Sequence, residues 1–591
     1  MKIISSSALT ILMCLFGLSS LYAQGWPEKY KGVMIQGFYW DSYQDTQWNN
    51  LESQADELAE YFNLIWVPQS GYCNTLTSNM GYCDVWWLDH KSAFGTEAQL
   101  RSMIKTFKSK GLGTIADVVI NHKNGNTNWT DFPDEKVVGQ NTGKTYAITW
   151  GKDCAPYICK TDECVKKKYN ATGAADSGDD FDGSRDLDHS NITVQNNIKV
   201  YLDFLLNELG YTGFRYDMVK GYAPKYTSIY NTSAKPQFSV GECWDGYARV
   251  TSWINGTKDA SGKIQSAAFD FPFRDILKTA IESSNWAKLN ENMLATSTQY
   301  QRYAVTFVDN HDTGSSGKDG ANPLYKDVEA ANAYMLAMPG TPCVFLTHWK
   351  SYKTTIKKLI LLRRLLGIHN QSAIVSKGVS GNGYVVKVRG DKGDALVAIG
   401  ANPTVNASGM KLALQGTDFK YYVSNGIDIS SLDKVKNEEN TFTAPSFCKV
   451  NDGEKCVFFE ASSSWTGTIM CWCWNGSQNY TGGTWPGVAC TYIGKADNGN
   501  KVYKWTYTGT LPFEPTGIIF SNNGKSQTAD MEFTNGGYYT SFGKAGVVTG
   551  IKDIYTNDPS RPTATYNLHG MRVGNDYKGI VIRNGKKYVN K

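Results

Sequence analysis

The sequence lacks the features of a membrane-embedded or nucleic-acid-binding protein. Past the N-terminal segment, no stretch reaches the 18 or so uninterrupted apolar residues that a transmembrane helix needs. The formal net charge of +5 is spread over 591 residues without a basic block, which argues against a nucleic-acid surface. Hydrophobic residues make up 41% of the chain and charged residues 19%, as in folded globular proteins. We therefore expect a soluble chain of about two to four globular domains.

The first residues are typical of a signal peptide. Lys2 supplies a positive charge, and the apolar run Ala8–Leu18 is too short for a membrane span. Leu21-Tyr22-Ala23 precedes a suitable cleavage point before Gln24. Cys14 lies inside the apolar run, so it is not interpreted as a lipid attachment site. This pattern predicts a signal peptide over residues 1–23 and a mature protein that is secreted, periplasmic or attached to the outer cell surface.

Cysteines are the next feature, because export permits disulfides. Of the 13 cysteines, 12 remain after the predicted cleavage. Local candidates for pairing are Cys73 with Cys83 and Cys448 with Cys456. A third group also suits a metal site, although zinc ligands usually come as tighter pairs with a fourth partner: Cys154, Cys159 and Cys164. The pairing itself does not follow from the sequence.

Between Val33 and Leu366, short apolar runs alternate with helical patterns. One helix face is predicted at Leu51, Ala55, Leu58, Ala59 and Phe62, and another at Leu100, Ile104 and Phe107. Eight runs are interpreted as strands: Val33–Phe38, Leu64–Val67, Gly113–Val119, Gly213–Asp217, Gln237–Glu242, Ala268–Phe271, Tyr303–Val308 and Cys343–Leu346. Eight such β-α units predict an α/β fold, a closed (β/α)₈ TIM barrel. The alternative is an open doubly wound sheet, which the missing glycine-rich phosphate motif after the first strand disfavours.

The pattern also predicts how the mature chain divides. The barrel is expected over residues 24–368, with an irregular subdomain, residues 123–182, inserted after the third strand. The helical pattern then stops, and an all-β domain is expected over 369–447. A second β-rich unit, rich in tryptophan, covers 457–542. The tail 543–591 suits a small β appendage or a sorting segment.

Polar residues follow four of the predicted strands. Two of these segments are D-V-V-I-N-H at 117–122 and G-F-R-Y-D-M-V-K-G-Y at 213–222; the others are S-V-G-E-C-W at 239–244 and F-V-D-N-H-D-T at 307–313. A single Asp at a strand end is usually a helix cap. Four such segments in this order, at the catalytic end of one barrel, are hard to explain as caps. Retaining hydrolysis of a glycosidic bond needs a pair of carboxyl groups of this kind.

These segments resemble the four signature regions of glycoside hydrolase family 13, the α-amylase family. Met80-Gly81-Tyr82, residues 184–191 and Met338-Pro339-Gly340-Thr341-Pro342 match further stretches of that family. The match is closest to the plant-like and related bacterial α-amylases. The resemblance implies a secreted α-amylase that hydrolyses internal α-1,4-glucosidic bonds of starch and related α-glucans with retention.

The resemblance also implies roles for the carboxyl groups. Asp217 would be the nucleophile, Glu242 the general acid and base, and Asp312 would hold sugar hydroxyls and favour the distorted sugar ring. Arg215 lies two residues before Asp217, on the same side of its strand, and its charge would keep Asp217 ionised. Glu242 must be protonated near neutral pH, so we expect neighbouring carboxylates and partial burial to raise its pKa.

Further substrate contacts come from the same resemblance. Tyr82 would stack beneath the sugar ring at the point of cleavage. His122 and His311 would hydrogen-bond that sugar. Lys220 and Trp244 would contact the leaving-group side.

A calcium ion is the cofactor that the resemblance implies. Its ligands would be Asn121, Asp180, Asp186 and the carbonyl groups of Gly183 and Gly221, which are oxygen donors of the kind that Ca²⁺ prefers. Such a site would tie the inserted subdomain to the barrel. The alternative is that the acidic run around Asp180 is only a solvated loop.

The tryptophan-rich unit has its own pattern. Trp472 and Trp474 lie two residues apart, so both face one side of a strand, and Trp485 follows. The unit resembles starch-binding modules of carbohydrate-binding module family 26. The resemblance makes these tryptophans a sugar platform, with Lys525 and Gln527 as hydrogen-bonding partners. The alternative is that the tryptophans fill the core of the module.

Two rival functions stay open. One is another hydrolase of the same family, exo-acting, maltooligosaccharide-forming or α-1,6-cleaving, because loop shape decides this specificity. The other is a non-catalytic protein that binds starch at the cell surface. The second would not need the intact set Asp217, Glu242 and Asp312. We also expect a monomer.

Overall fold

The computed structural model describes most of the chain from Gly25 onward. The described residues are 25–590 except 77–78, 315–317, 319, 437–443, 452, 463–464, 477, 497–498, 529, 542, 549–564, 568–571, 574–577 and 584–585. The predicted signal peptide lies outside this set. Among the helices of the described part, none is both long enough and apolar enough to cross a membrane.

Eight parallel strands close into a barrel, which confirms the predicted fold and excludes the open sheet. Met34 pairs with Leu64 on one side and with Cys343 on the other, so the first strand joins both the second and the last. Every residue of this first strand is buried. The strands are β1 Met34–Gln36, β2 Leu64–Trp66, β3 Gly113–Val118, β4 Gly213–Tyr216, β5 Phe238–Gly241, β6 Ala267–Phe269, β7 Ala304–Phe307 and β8 Thr341–Phe345.

Helices surround the barrel. They are α1 Trp48–Ser53, α2 Ala55–Tyr61, α3 Glu97–Ser109, α4 Ile192–Asp203, α5 Pro224–Ala234, α6 Tyr247–Gly256, α7 Phe271–Ser283, α8 Val328–Ala337, α9 Leu346–Ser351 and α10 Lys353–Leu366. A π-helix, Phe204–Leu209, extends α4, and short 3₁₀-helices include Val219–Gly221 and Trp286–Asn290.

Two sequence predictions need correction. The first predicted helix is two helices, broken at Gln54, although Leu51, Ala55 and Leu58 are still buried together. The predicted strand Ala268–Phe271 ends at Phe269. Asp270 ends it because its carboxylate accepts a hydrogen bond from the Phe273 backbone N–H (3.1 Å) and caps α7.

The insertion after β3 is more regular than predicted. Glu135–Val138 and Thr145–Ile148 form a hairpin. His122–Lys123 pairs with Arg185–Asp186, with His122 opposite Asp186. This short pairing fastens the far end of the insertion to the segment that leaves β3.

Beyond the barrel, the regular structure of the described residues consists of β-strands and one short 3₁₀-helix, Ser430–Lys434. A five-stranded antiparallel sheet has the order β9-β10-β11-β13-β12, with β9 Ala373–Val379, β10 Asn382–Arg389, β11 Asp394–Asn402, β12 Met410–Gly416 and β13 Phe419–Ser424. A sandwich of two sheets follows. One sheet contains β14 Cys456–Ala461, β18 Thr491–Lys495, β19 Lys501–Thr506, β23 Gly537–Thr540 and β24 Gly543–Val547.

The other sheet of the sandwich carries the predicted tryptophan platform. It contains β15 Ile469–Asn475, β16 Gln478–Asn479, β17 Val488–Ala489, β20 Gly517–Asn522, β21 Ser526–Gln527 and β22 Met531–Glu532. The tail adds a small sheet of β25 Thr565–Asn567, β26 Arg572–Val573, β27 Gly579–Arg583 and β28 Lys586–Asn590.

Candidate active site

A buried arginine binds three carboxyl groups at the carboxyl end of the barrel. Arg215 Nη1 contacts Asp217 Oδ1 at 2.6 Å and Asp117 Oδ1 at 2.8 Å, and Nη2 contacts Glu242 Oε2 at 2.9 Å. The Arg215 side chain is 1% exposed. Trp66 lies under the guanidinium at 4.9 Å and donates its Nε1–H to Asp117 Oδ2 (3.1 Å). This four-residue cluster holds Asp217 and Glu242 close together.

Backbone hydrogen bonds fix the positions of Asp217 and Glu242. The Asp217 N–H donates to Val118 O of β3 (3.0 Å), and the Glu242 N–H donates to Tyr216 O of β4 (2.9 Å). Each residue therefore continues the barrel ladder one step past its strand. Met218 then turns into the left-handed region (φ 41°), and its N–H donates to Glu242 Oε2 (2.9 Å). The nucleophile candidate and its partner are thus placed by main chain as well as by Arg215.

Burial raises the pKa values of these carboxyl groups, and it raises that of Glu242 the most. It raises the pKa of Glu242 to about 8, with Arg215 lowering it and Asp217 and Asp312 raising it further. It raises the pKa of Asp217 to about 6, because Arg215 offsets only part of the desolvation. The pKa of Asp117 is raised by burial to about 6 as well. At neutral pH, Glu242 is therefore mostly protonated and Asp217 mostly ionised.

Tyr82, His311 and Asp312 lie next to one another, with Tyr82 in contact with Asp117 of the cluster. The Tyr82 hydroxyl is 2.9 Å from Asp117 Oδ2 and 2.8 Å from His311 Nε2. That nitrogen is also 3.3 Å from Asp312 Oδ2, while His311 Nδ1 is 3.0 Å from the Gln36 amide. These contacts bring together three residues that the sequence predicted for the site, Tyr82, His311 and Asp312.

Trp40, which the sequence analysis did not select, extends this side. Its ring is parallel to that of Tyr82, with centroids 6.1 Å apart and planes 3° apart. Lys318 Nζ lies 4.0 Å above the Trp40 ring and 3.8 Å from Asp312 Oδ1. Trp40 lies two residues after the end of the predicted first strand, so its place in the sequence could have indicated a residue of the cleft.

The segment that carries Asp312 is anchored by a buried carboxylate. Asp309 Oδ1 accepts from Arg274 Nη2 (3.0 Å) and from the Thr313 hydroxyl (3.0 Å), and Oδ2 accepts from the Leu324 N–H (2.9 Å). The Asp309 side chain is fully buried. The Asn310 side chain accepts from the N–H groups of Asp312 and Thr313 at 3.0 and 2.9 Å. The conformation of the chain around Asp312 is therefore fixed by the side chains of Asp309 and Asn310.

The remaining predicted contacts line the same cleft, which has a volume of about 860 Å³. His122 is buried, stacks on Phe181 and lies 2.9 Å from Tyr82 O through Nε2. Lys220 Nζ is 3.4 Å from Asp245 Oδ2. Trp244 is 41% exposed and stacks on Phe271, with centroids 5.2 Å apart.

An acidic cluster beside the cleft has the donor set of a metal site. Carboxylate oxygens of Asp176, Asp180 and Asp186 lie within 4.8 Å of one another. Burial and the neighbouring carboxylates raise the pKa of Asp186 to about 9. Asn121 Oδ1 is buried and has no hydrogen-bond partner, and it lies so close to Gly221 that a Cβ there would meet it at 2.0 Å. These residues fit a hard cation with oxygen ligands.

The cluster adds one carboxylate to the predicted ligands Asp180 and Asp186. Asp176 was not predicted, and its Oδ2 is buried without a partner. Gly183 lies in an exposed turn in which an added Cβ would meet the Phe181 ring. The three cysteines 154, 159 and 164 form no such group among the described residues. All twelve cysteines that the structure describes are free thiols.

The tryptophans of the sandwich lie outside its core. Cys471 and Cys473 are buried, whereas Trp472 and Trp474 alternate with them on the outer face. Trp485 is 40% exposed, and its ring meets that of Trp472 at 66° with centroids 5.8 Å apart. The core is filled instead by other aromatic residues: Phe459, Trp465, Trp505, Phe520 and Tyr539.

Lys525 and Gln527 lie close to this platform. Lys525 is exposed in the turn after β20, and Gln527 lies in β21, paired with Ser521. A Cβ at the neighbouring Gly524 would be 3.2 Å from Trp485 Nε1, so the turn packs against that ring. An angled pair of indoles that are at least partly exposed, beside polar side chains, is suited to binding a sugar chain.

Comparison with known proteins agrees with the fold. The family described as "Alpha amylase, catalytic domain" matches residues 70–348, and "Starch-binding module 26" matches residues 457–533. Probable alpha-amylase 2 of Arabidopsis thaliana is 31% identical over 364 residues, which are 58% of this chain and 82% of that protein. The protein is therefore a glycoside hydrolase with a carbohydrate-binding module. More particularly, the chain belongs to the α-amylase family.

Two further likenesses are more distant in function or in sequence. A glucan 1,4-alpha-maltotetraohydrolase of Stutzerimonas stutzeri is 31% identical over 410 residues, 64% of this chain and 70% of that protein. The solved structure of a cyclic alpha-maltosyl-(1→6)-maltose hydrolase from Arthrobacter globiformis has a TM-score of 0.50 at 12% identity, covering 67% of this chain and 99% of that one. At this identity the structural likeness concerns the fold alone.

Proposed function

We propose that this protein is an α-amylase that cleaves internal α-1,4 bonds of starch-like glucans with retention. The observation that carries the proposal is the cluster in which Arg215 holds Asp217 and Glu242 together. Retaining glycosidases need a carboxylate nucleophile and a carboxylic acid only about 5 Å apart. A pair bound to one guanidinium group, with different pKa values, suits that requirement.

The chemistry follows from this division. The Asp217 carboxylate attacks the anomeric carbon while Glu242 gives its proton to the departing glycosidic oxygen. Glu242, now ionised, then takes a proton from the water that hydrolyses the glycosyl ester. Asp312, with His311 and Tyr82, lies where it can bind the hydroxyl groups of the sugar being cleaved. Arg215 and Asp117 position the pair without touching the sugar.

An exo-acting hydrolase is the second candidate. The likeness to a maltotetraohydrolase, at 31% identity, favours it. Chromatography of products from amylose separates the two candidates. An endo-acting enzyme produces a range of oligosaccharides early, whereas an exo-acting one releases a single short product from the start.

Calcium is the cofactor that we infer. Asp176, Asp180, Asp186 and Asn121 would hold it, with Gly221 beside them. When bound, the ion supplies positive charge that offsets the repulsion of three close carboxylates. The same residues join the end of the insertion to the segments that follow β3 and β4, so the ion would stabilise one wall of the cleft.

The starch-binding module would give the enzyme a second binding site for its substrate. We infer that Trp472, Trp474 and Trp485 stack on glucose units of starch, with Lys525 and Gln527 as polar partners. The angled arrangement of the exposed Trp485 ring and the partly exposed Trp472 ring supports this role. From the N-terminal sequence we further infer that the protein is exported, and we expect it to act as a monomer.

Replacing the nucleophile should abolish hydrolysis. Asp217→Asn is expected to lower kcat on soluble starch at least about 100-fold while leaving the melting temperature nearly unchanged, because one oxygen can still bind Arg215. Asp433→Asn, at an exposed position of the 3₁₀-helix Ser430–Lys434, is the control. Retention of configuration is checked on the wild-type protein by NMR, which should show the α-anomer as the first product. A variant with more than about 1% of activity, or a β-anomeric product, would contradict the assignment.

The rate of hydrolysis should fall on both sides of neutral pH, below about pH 6 and above about pH 8. Below about pH 6 Asp217 gains a proton and loses its nucleophilicity; above about pH 8 Glu242 loses the proton that it must donate. The measurement is the pH profile of kcat/KM on an oligosaccharide. With an aryl glycoside whose leaving group needs no protonation, the alkaline limb should move to higher pH. An unchanged alkaline limb would count against Glu242 as the acid.

Calcium removal should destabilise the protein. We expect chelation to lower the melting temperature by about 5 °C or more, because a ligand that binds only the folded state stabilises it. Asp176→Asn should raise the calcium concentration needed to restore that temperature. The control is Asp56→Asn, an exposed carboxylate paired with Lys110. Identical melting with and without calcium would refute the site.

Loss of the platform should reduce binding to insoluble starch. Trp472→Ala/Trp485→Ala is expected to weaken retention about tenfold or more, since two stacking faces are removed. Hydrolysis of a short soluble oligosaccharide should not change. Tyr492→Ala removes an aromatic ring that is 52% exposed on the other sheet and serves as the control. Equal retention of all three proteins would mean that these tryptophans do not bind starch.

A further inference from the structure

A second groove adjoins the catalytic cleft on the side of Trp244. It has a volume of about 780 Å³ and shares Trp244 and Gly320 with the cleft, so the two spaces meet at these residues. Its other lining residues come largely from α7, among them Asp275, Lys278 and Thr279. None of the catalytic groups described above lines this groove. The α7 groove therefore contains none of the reacting groups, but it is continuous with the catalytic cleft.

Trp244 stands where the two spaces meet. It lies two residues after Glu242, the group that would protonate the leaving sugar. One face of its ring is supported by Phe271, at 5.2 Å and 15°, and 41% of the side chain is exposed. A rigid, partly exposed indole at this point can stack on a sugar that leaves the cleft toward α7.

The α7 side of the groove presents a polar row. Asp275, Thr279 and Ser283 are each four residues apart, so they form one line on the helix surface, about 12 Å long. All three are exposed. The two hydroxyl groups donate to the carbonyls one turn earlier, at Asp275 and Thr279, and keep lone pairs that can accept hydrogen bonds. The row thus offers acceptors for the hydroxyl groups of a ligand.

The charges of the groove are paired within it. Arg274 contacts Asp309 and Asp275 at 3.0 Å each, and Lys278 contacts Glu282. With both cations paired, the groove is poorly suited to an anion such as a phosphate. It suits a neutral ligand that has many hydroxyl groups.

The far end of the groove reaches the starch-binding module. The Glu282 carboxylate accepts from the Tyr325 N–H (3.3 Å), and Tyr325 O accepts from the Asp530 N–H (3.0 Å). Gln527 of the platform lies three residues before Asp530, no more than about 10 Å along the chain. The α7 groove therefore lies between the cleft and the module.

We propose that the α7 groove is an accessory binding site for an α-glucan chain, which it holds beyond the leaving-group side of the cleft. This inference rests on the proposed function, because it takes the polymer cleaved at Asp217 as the ligand. A short oligosaccharide that fills only the cleft does not reach α7. A long chain passes Trp244 and contacts the row Asp275, Thr279 and Ser283.

The test compares long and short substrates on variants of the full chain. Asp275→Ala removes an acceptor, and Thr279→Met fills the groove without an aromatic face. Each is expected to lower kcat/KM on soluble amylose about five- to tenfold, through a higher KM, since one or two hydrogen bonds are lost. The rate on an aryl maltotrioside should not change. Matched controls on exposed helix positions outside both grooves are Asp56→Ala and Ser109→Met, and both should behave as wild type.

The outcomes separate this inference from the proposed function. If wild type cleaves both substrates and the groove variants match it on amylose, or lose activity equally on both substrates, the accessory site is refuted. If wild type releases no reducing ends from either substrate with calcium supplied, the proposed function itself fails. A loss confined to amylose, at an unchanged melting temperature, supports the site.

Discussion

The structure of the active site depends on one buried cation. Asp117, Asp217 and Glu242 are all withdrawn from water, and three carboxyl groups in such a place are tolerable only beside a compensating charge. The planar guanidinium of Arg215 meets all three at once through two nitrogen atoms. A lysine, with a single point charge, does not offer this fork. The different protonation of Asp217 and Glu242 is a result of this shared contact together with burial.

Much of this site is predictable because it follows strand order. Asp217, Glu242 and Asp312 each follow a strand, and parallel strands of a closed barrel end on the same side. Asp117 was not recognised as a partner, although its segment was noted. Its contact with Arg215 depends on the register of β3 against β4, where the two residues lie opposite each other. Register between strands about 100 residues apart is not visible in a local pattern.

Other parts of the structure escaped prediction for similar reasons. Asp176 joins Asp186 through the folding of an irregular segment, which no periodicity describes. The role of Trp40 depends on the orientation of its ring parallel to Tyr82. In contrast, the alternation of Cys471, Trp472, Cys473 and Trp474 placed the tryptophans on one face correctly, because strand side chains alternate. The sequence could not tell which face was the core; the small cysteines occupy it.

The segment between β7 and α8 connects two parts of the molecule that are usually considered separately. It carries Asp312 near its start and Tyr325 near its end, and the Tyr325 carbonyl accepts a hydrogen bond from Asp530 of the module. One of the hydrogen bonds to this segment thus comes from the starch-binding module. Shortening the chain before this unit, or exchanging the unit for another, removes this hydrogen bond even when every residue of the barrel is kept.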